Sequence, residues 1–250
     1  MSNSNKIASL QTLSRDLLDK TLAEIKLHQK ESSPPNEGYF LTAEYLLREA
    51  MEYVAGAFEM IESGKSNASI ALSRWVLEAS LNLHWTVADS DKIDERLMIL
   101  CGEALRCEAC ILEGSAKLKL WPDKSQLFKE NATKARKIRK DLRVEKPESL
   151  YKRLESIEEQ SETNCPNLYP LYRICCAAAH PNLNVWERFD LADGTIVSKD
   201  PIDKQSIAYW MAAASTFYLV IFTCRLTELG DSNQLKEWWE KKIRPLLNDD

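Results

Sequence analysis

Glycine is scarce in this chain of 250 residues, and its scarcity bears directly on the fold class. Seven glycines are present, where average usage would give roughly 17. Long stretches are filled instead with Ala, Leu, Glu, Lys and Arg, all of which are good helix formers. The composition therefore predicts an all-α protein.

A positive net charge is also missing. The 33 basic residues are outnumbered by 38 acidic ones, giving a formal charge of -5, so no global positive field exists to hold nucleic acid. Any RNA contact must be local, and the best candidate is the basic stretch 129–146, which carries Lys129, Lys134, Arg136, Lys137, Arg139, Lys140, Arg143 and Lys146. The same pattern is typical of a solvated helix face with charge pairs four residues apart, so both interpretations stay open.

Long apolar segments are absent as well. No uncharged apolar run reaches the roughly 18 residues that a membrane span needs, and the closest, 209–224, better fits a buried core helix. The N-terminus carries charges where a signal peptide would have its apolar segment. We therefore expect a cytoplasmic protein with no membrane contact.

The seven cysteines are an odd number in a chain without secretory features, which favours reduced thiols. Cys107 and Cys110 form a CxxC pair on a helical pattern, but no second pair has the spacing of a zinc site. We expect the cysteines to be small buried apolar side chains and predict neither a metal nor a cofactor.

Apolar residues recur every three or four positions along most of the chain, which predicts an up-and-down multi-helix bundle. Two prolines and a glycine within 31–38 indicate a linker, so 1–37 are predicted to form an N-terminal helical extension and 38–250 a single bundle domain. Gly64 suits the end of the second helix. Alternating apolar residues predict a β-hairpin insertion near 185–198.

The third predicted helix is apolar on nearly every side except for Arg74, Glu78 and Asn82. Steps of four residues advance only about 40 degrees around a helix, so the three form one narrow stripe. A charge on a buried helix needs a partner. Arg74 and Glu78 can be partners for each other, or the stripe can support a functional site.

A second polar pattern lies in "LYRICCAAAHPN", residues 171–182. Tyr169, Arg173 and His180 share one helical face, and the residues around the gap are small enough for a phosphate to approach. A guanidinium can hold a phosphate while a neutral imidazole moves a proton near pH 7, which suffices for metal-independent RNA cleavage. Alternatively, His180 closes the end of the helix and Arg173 pairs with Glu78.

Arg173, six intervening residues and His180 resemble the arginine-x4-6-histidine signature of the HEPN superfamily of bacterial defence, toxin and RNA-processing ribonucleases. The wider pattern, "SRWVLEASLNLHW" followed far downstream by "LYRICCAAAHPN", resembles an all-helical bacterial family of unknown function over roughly residues 40–225. The HEPN resemblance implies that Arg173 binds the scissile phosphate and that His180 acts as acid or base. It also implies a homodimer that acts on RNA in defence or stress response.

Active HEPN members commonly carry a polar residue directly after the arginine, where this chain has Ile174. Several HEPN-like proteins keep the fold as binding or scaffolding modules. The alternative function is therefore a non-catalytic helical module in which Arg173, His180, Arg74, Glu78 and Asn82 form a buried network that fixes helix register.

Overall fold

A computed structural model of the chain describes residues 3–29, 36–143, 148–158, 172–173, 175–176, 189–192, 195–198, 204–230 and 232–248. The helices are α1 (Asn3–Gln29), α2 (Asn36–Glu62), α3 (Ser66–Val87), α4 (Ile93–Lys117), α5 (Ser125–Asp141), α6 (Leu150–Glu158), α7 (Lys204–Thr227), α8 (Ser232–Trp238) and α9 (Arg244–Asn248). Short 3₁₀ turns, Ser90–Lys92 and Pro122–Lys124, precede α4 and α5, and a π-helical turn, Trp239–Ile243, joins α8 to α9. The all-α bundle is confirmed, and its up-and-down order stays a prediction.

Two short strands lie within the range where the sequence predicts a hairpin. β1 (Phe189–Ala192) pairs antiparallel with β2 (Thr195–Ser198), and Phe189 lies opposite Ser198. Residues 193–194, the predicted turn, lie outside the described residues. A hairpin inserted into the bundle over 185–198 stays a prediction.

The chain divides into two compact units. Unit 1 comprises Met1–His84 and Thr163–Asp250, and unit 2 comprises Trp85–Glu162. The sequence predicts 38–250 as one domain and 1–37 as an extension, and those bounds stay predictions. Within unit 1, the apolar face of α1 packs on α2 and α7 and leaves Leu10 and Ile25 fully buried.

Unit 1 has its core between α2 and α7. Buried apolar residues recur along α2 from Phe40 to Ile61 at helical spacing. The helix ends where Gly64 takes a φ of +71° and donates its N–H to the Ile61 carbonyl at 2.9 Å, which confirms the predicted cap. α3 joins this core, where the Ser80 hydroxyl donates to the Ser215 carbonyl on α7 at 3.1 Å.

The helix α7 is buried on nearly all sides, which confirms the core helix predicted over 209–224. Ile207–Thr227 is the one stretch of the described residues that is long and apolar enough to cross a membrane, and 83% of its apolar window is buried inside the protein. A helix that is apolar all round is expected in the interior of a bundle.

Unit 2 is built on the antiparallel contact of α4 with α5. Ala109, Ala132 and Ala135 form the buried contact, with Leu105 and Leu112 packed beside them. At the start of the unit, the Trp85 ring lies 5.0 Å from the Arg96 guanidinium and 4.9 Å from that of Arg153 on α6. Both distances fall in the range of cation–π contacts, so Trp85 ties α6 to the beginning of the unit.

Candidate functional site

The polar stripe of α3 contains an ion pair. Arg74 and Glu78 lie one turn apart, with 3.6 Å between Nη2 of Arg74 and Oε2 of Glu78. The pairing of these two side chains is thus confirmed. Their burial is not, because the side chains remain 29% and 44% exposed. Long polar side chains extend past the apolar surface that covers their stems and keep their charged ends near water.

A tyrosine joins the two charges. The Arg74 guanidinium donates to the Tyr172 hydroxyl at 3.2 Å, and that hydroxyl donates to the Glu78 carboxylate at 3.3 Å. The guanidinium carbon also lies 5.5 Å from the centre of the Tyr172 ring. Hydrogen bonds to charged groups are stronger than neutral ones. Arg74, Glu78 and Tyr172, the Arg74 cluster, therefore fix residues 172–173 to α3.

The protonation states in the Arg74 cluster follow from its half-buried position. Burial raises the pKa of Tyr172 to about 12, although the hydrogen bond from Arg74 lowers it. The hydrogen bond to Tyr172 raises the pKa of Arg74. Near pH 7, Tyr172 is thus a neutral hydroxyl and Arg74 a cation. Burial also raises the pKa of Cys175 to about 12, so that thiol is not a nucleophile at neutral pH.

The predicted site residues fall in three groups. Arg74 and Glu78 contact each other, and Asn82 lies half-buried further along α3. Arg173 is helical and exposed. Tyr169 and His180 lie outside the described residues, so the predicted pairing of Arg173 with His180 stays a prediction.

The sequence interpretation missed Tyr172. It placed functional residues on the helical face of Arg173, and Tyr172 lies 100 degrees away from that face. Arg74 and Glu78 therefore bond to the residue directly before Arg173 in the chain. A usable signal was present, because a buried tyrosine needs a hydrogen-bond partner for its hydroxyl and α3 offered two charged groups.

A histidine near the end of α3 has a packing role. The His84 ring is 7% exposed and stacks on Phe222 with 4.3 Å between ring centres. Burial, followed by the charge of Arg225, lowers the pKa of His84 to about 4. His84 is therefore a neutral aromatic packing group near pH 7.

The prediction of buried cysteines is correct for part of the chain. Cys175 and Cys224 are buried, but Cys101, Cys107 and Cys110 are exposed. The last three lie on α4, where only the face toward the alanine contact is covered. Within the described residues, no three His, Cys, Asp or Glu side chains are grouped closely enough to hold a metal ion.

Comparisons of the chain with models of protein families, with curated proteins and with solved structures gave no significant match.

Proposed function

We propose that the chain is a HEPN-like ribonuclease that cleaves RNA without a metal ion, in bacterial defence or a stress response. The observation that supports this proposal is the exposure of Arg173 beside an anchored tyrosine. Tyr172 bonds to both charges of α3, and these contacts anchor the residue directly before Arg173. An exposed arginine next to an anchored residue is well suited to bind a phosphate through paired hydrogen bonds.

In the proposed reaction, the Arg173 guanidinium binds two non-bridging oxygens of the scissile phosphate. His180 removes the proton of the 2′-hydroxyl, and the 2′-oxygen attacks phosphorus. The bond from phosphorus to the 5′-oxygen breaks, and the leaving oxygen takes up the proton that the imidazole removed from the 2′-hydroxyl. The products are a 2′,3′-cyclic phosphate and a 5′-hydroxyl, so neither water nor a metal enters this step.

Cleavage of a fluorescent single-stranded RNA in excess EDTA tests the proposal. We expect wild-type protein to produce 2′,3′-cyclic phosphate ends, and Arg173→Ala and His180→Ala to lower the rate at least about 100-fold, the usual range for a catalytic proton transfer. Arg48→Ala, which removes another exposed arginine of unit 1, is the matched control. Equal cleavage by all four proteins, or no cleavage by any, would contradict the proposal.

A second candidate function is a non-catalytic helical module that binds a partner. The hydrogen bonds within the Arg74 cluster favour it, because they join α3 to residue 172 as a network that fixes helix register would require.

Under both functions, Tyr172→Phe removes the hydroxyl that bridges Arg74 and Glu78. We expect it to lower the free energy of unfolding by about 1 to 2 kcal/mol, measured by urea denaturation. Tyr45→Phe, at a tyrosine of the same unit that is 58% exposed, should change stability by less than about 0.5 kcal/mol. Equal stability of the Tyr172 variant and wild type would show that the network does not fix the helices. Cleavage of RNA distinguishes the two functions, because only a ribonuclease has an activity that Arg173→Ala would remove.

A further inference from the structure

Most of the cations that line a groove in unit 2 come from one face of α5. The groove has a volume of about 470 Å³ and is lined by Arg106, Ala109, Cys110, Arg136, Arg139, Lys140 and Arg143. Ligand sites commonly measure about 300 to 1,000 Å³. We call this feature the basic groove. It belongs to neither the Arg74 cluster nor Arg173, both of which lie in unit 1.

The helix spacing explains why the charges converge. Arg136, Arg139 and Lys140 lie three and four residues apart on α5 and so share one face. Arg143 follows the last turn of α5 with a φ of 52°, and Arg106 reaches the groove from α4. The alanines at the contact let the two helices approach closely, so the long cationic side chains border the groove rather than fill the contact.

Acidic residues neutralise only part of this charge. Arg106 pairs with Glu103, and Arg136 pairs with Glu113 at 2.6 Å. Five cations line the basic groove and these two carboxylates pair with them, which leaves three formal positive charges in a protein whose net charge is -5. A cleft lined by one sign of charge concentrates counter-ions of the opposite sign.

Arg139 adds a second observation. Its Nε atom is buried and has no hydrogen-bond partner among the described residues. Cations in the last turn of a helix offset the negative end of its dipole, and that effect accounts for Arg139 and Lys140 near the end of α5. It does not account for Arg106, which comes from the middle of another helix. The convergence from two helices therefore indicates an anionic ligand.

We propose that the basic groove binds the phosphate backbone of single-stranded RNA, contacting two or three successive phosphates. The choice of RNA over other polyanions rests on the proposed function. No aromatic side chain lines the groove among the described residues, so no base can stack there. Contacts to phosphates carry no sequence information, and the groove therefore holds RNA without regard to its sequence.

Binding of a fluorescein-labelled 12-nucleotide RNA, followed by anisotropy in EDTA over a range of salt concentrations, tests this proposal. The RNA carries 2′-O-methyl groups so that it cannot be cleaved. Lys140→Gln/Arg143→Gln removes two exposed cations of the groove. Lys129→Gln/Lys134→Gln removes two exposed lysines of α5 that do not line it, and so makes the same change in net charge.

We expect the groove variant to bind RNA at least about tenfold more weakly than wild type, and the control variant to stay within about twofold. The slope of log K against log salt should become shallower by about 1.4 in the groove variant, because each lost contact to single-stranded RNA is worth about 0.7. Arg139→Gln alone should shift the slope by about half as much. Equal losses in the groove and control variants, or no RNA binding by wild type, would overturn the proposal.

One further measurement distinguishes RNA from small polyphosphates as the ligand, and the design of the binding assay separates this inference from the proposed function. Inorganic tripolyphosphate should compete weakly with RNA at equal phosphate concentration. Competition equal to that of RNA would assign the groove to small polyphosphates and overturn the RNA assignment. Because the 2′-O-methyl RNA cannot be cleaved, a failure of cleavage in the ribonuclease assay leaves the binding result intact, and unchanged binding by the groove variant overturns only this inference.

Discussion

His84 shows how burial sets the chemistry of a single residue. Its ring stacks on Phe222 in the interior of unit 1, and the charge of Arg225 lies close enough to act on it. Protonation of His84 would place a second cation there at the cost of desolvation. Burial and this repulsion lower its pKa from the ordinary 6.5 to about 4.

The lowered pKa of His84 predicts a loss of stability in mild acid. Between pH 6.5 and pH 4 the unfolded chain binds a proton at this position and the folded protein does not, so stability falls as the pH falls through this window. We expect the free energy of unfolding to drop by about 2 kcal/mol from pH 7 to pH 5 on account of His84. Urea denaturation at the two pH values measures the drop.

The variant His84→Phe keeps the aromatic stack and removes the titrating group, so its drop should be smaller than that of wild type by about 2 kcal/mol. The exposed His28 provides the control, since His28→Gln should retain the full drop. A His84→Phe protein with the same pH dependence as wild type would rule out this assignment.

Among the helices, the pair α4 and α5 depends on small side chains rather than large ones. Ala109, Ala132 and Ala135 are each at most 4% exposed, and together they form the centre of the contact. Close-packed interiors respond to added volume because side chains must leave their preferred rotamers.

Ala132→Leu should therefore destabilise unit 2. We expect a loss of about 1 to 3 kcal/mol in the free energy of unfolding from overpacking. We also expect weaker RNA binding, since separating α4 from α5 moves Arg106 away from Arg139. Thr133→Leu, at the exposed neighbouring position, is the control and should change neither property. Wild-type stability and RNA affinity in Ala132→Leu would show that the contact is loosely packed.

The sequence predicted some elements well, for physical reasons that can be named. α2 was predictable because its large apolar residues recur at helical spacing and Gly64 follows its end. The pairing of α4 with α5 was not, because alanine is as common on exposed helices as in contacts. Tyr172 was missed because a face defined on one helix does not reveal which face a distant helix will contact.

The predicted linker lies between two helices of one compact unit. The proline-rich segment within 31–38 looked like a division between domains, yet the helices on either side of it belong to one unit. A proline pair breaks a helix but does not prevent the two helices from packing on each other. The division between units 1 and 2 at His84 and Trp85 falls inside the continuous helix α3, where composition gives no sign of it.

The oligomeric state of the whole molecule follows from the proposed function, because HEPN-like sites use two copies of the arginine and histidine motif. We expect a homodimer with twice the chain mass of 28.6 kDa, measured by sedimentation equilibrium at micromolar concentration. Arg173→Ala should remain a dimer if its effect is confined to phosphate binding. A monomer at all concentrations would contradict this expectation, because two copies of the motif could not then form one site.

Unit 1 is built from two separate stretches of the chain, and this determines when it can fold during synthesis. Its first part ends at His84, and α7, which buries the apolar faces of α1 and α2, begins only at Lys204. At ordinary rates of translation the ribosome needs roughly 6 to 24 s to cover that interval. Unit 2 is continuous in sequence and can fold during this time. During this interval the apolar surface of α1 and α2 that α7 covers in the folded protein stays exposed, so the nascent chain presents that surface to solvent and to chaperones until α7 has been made.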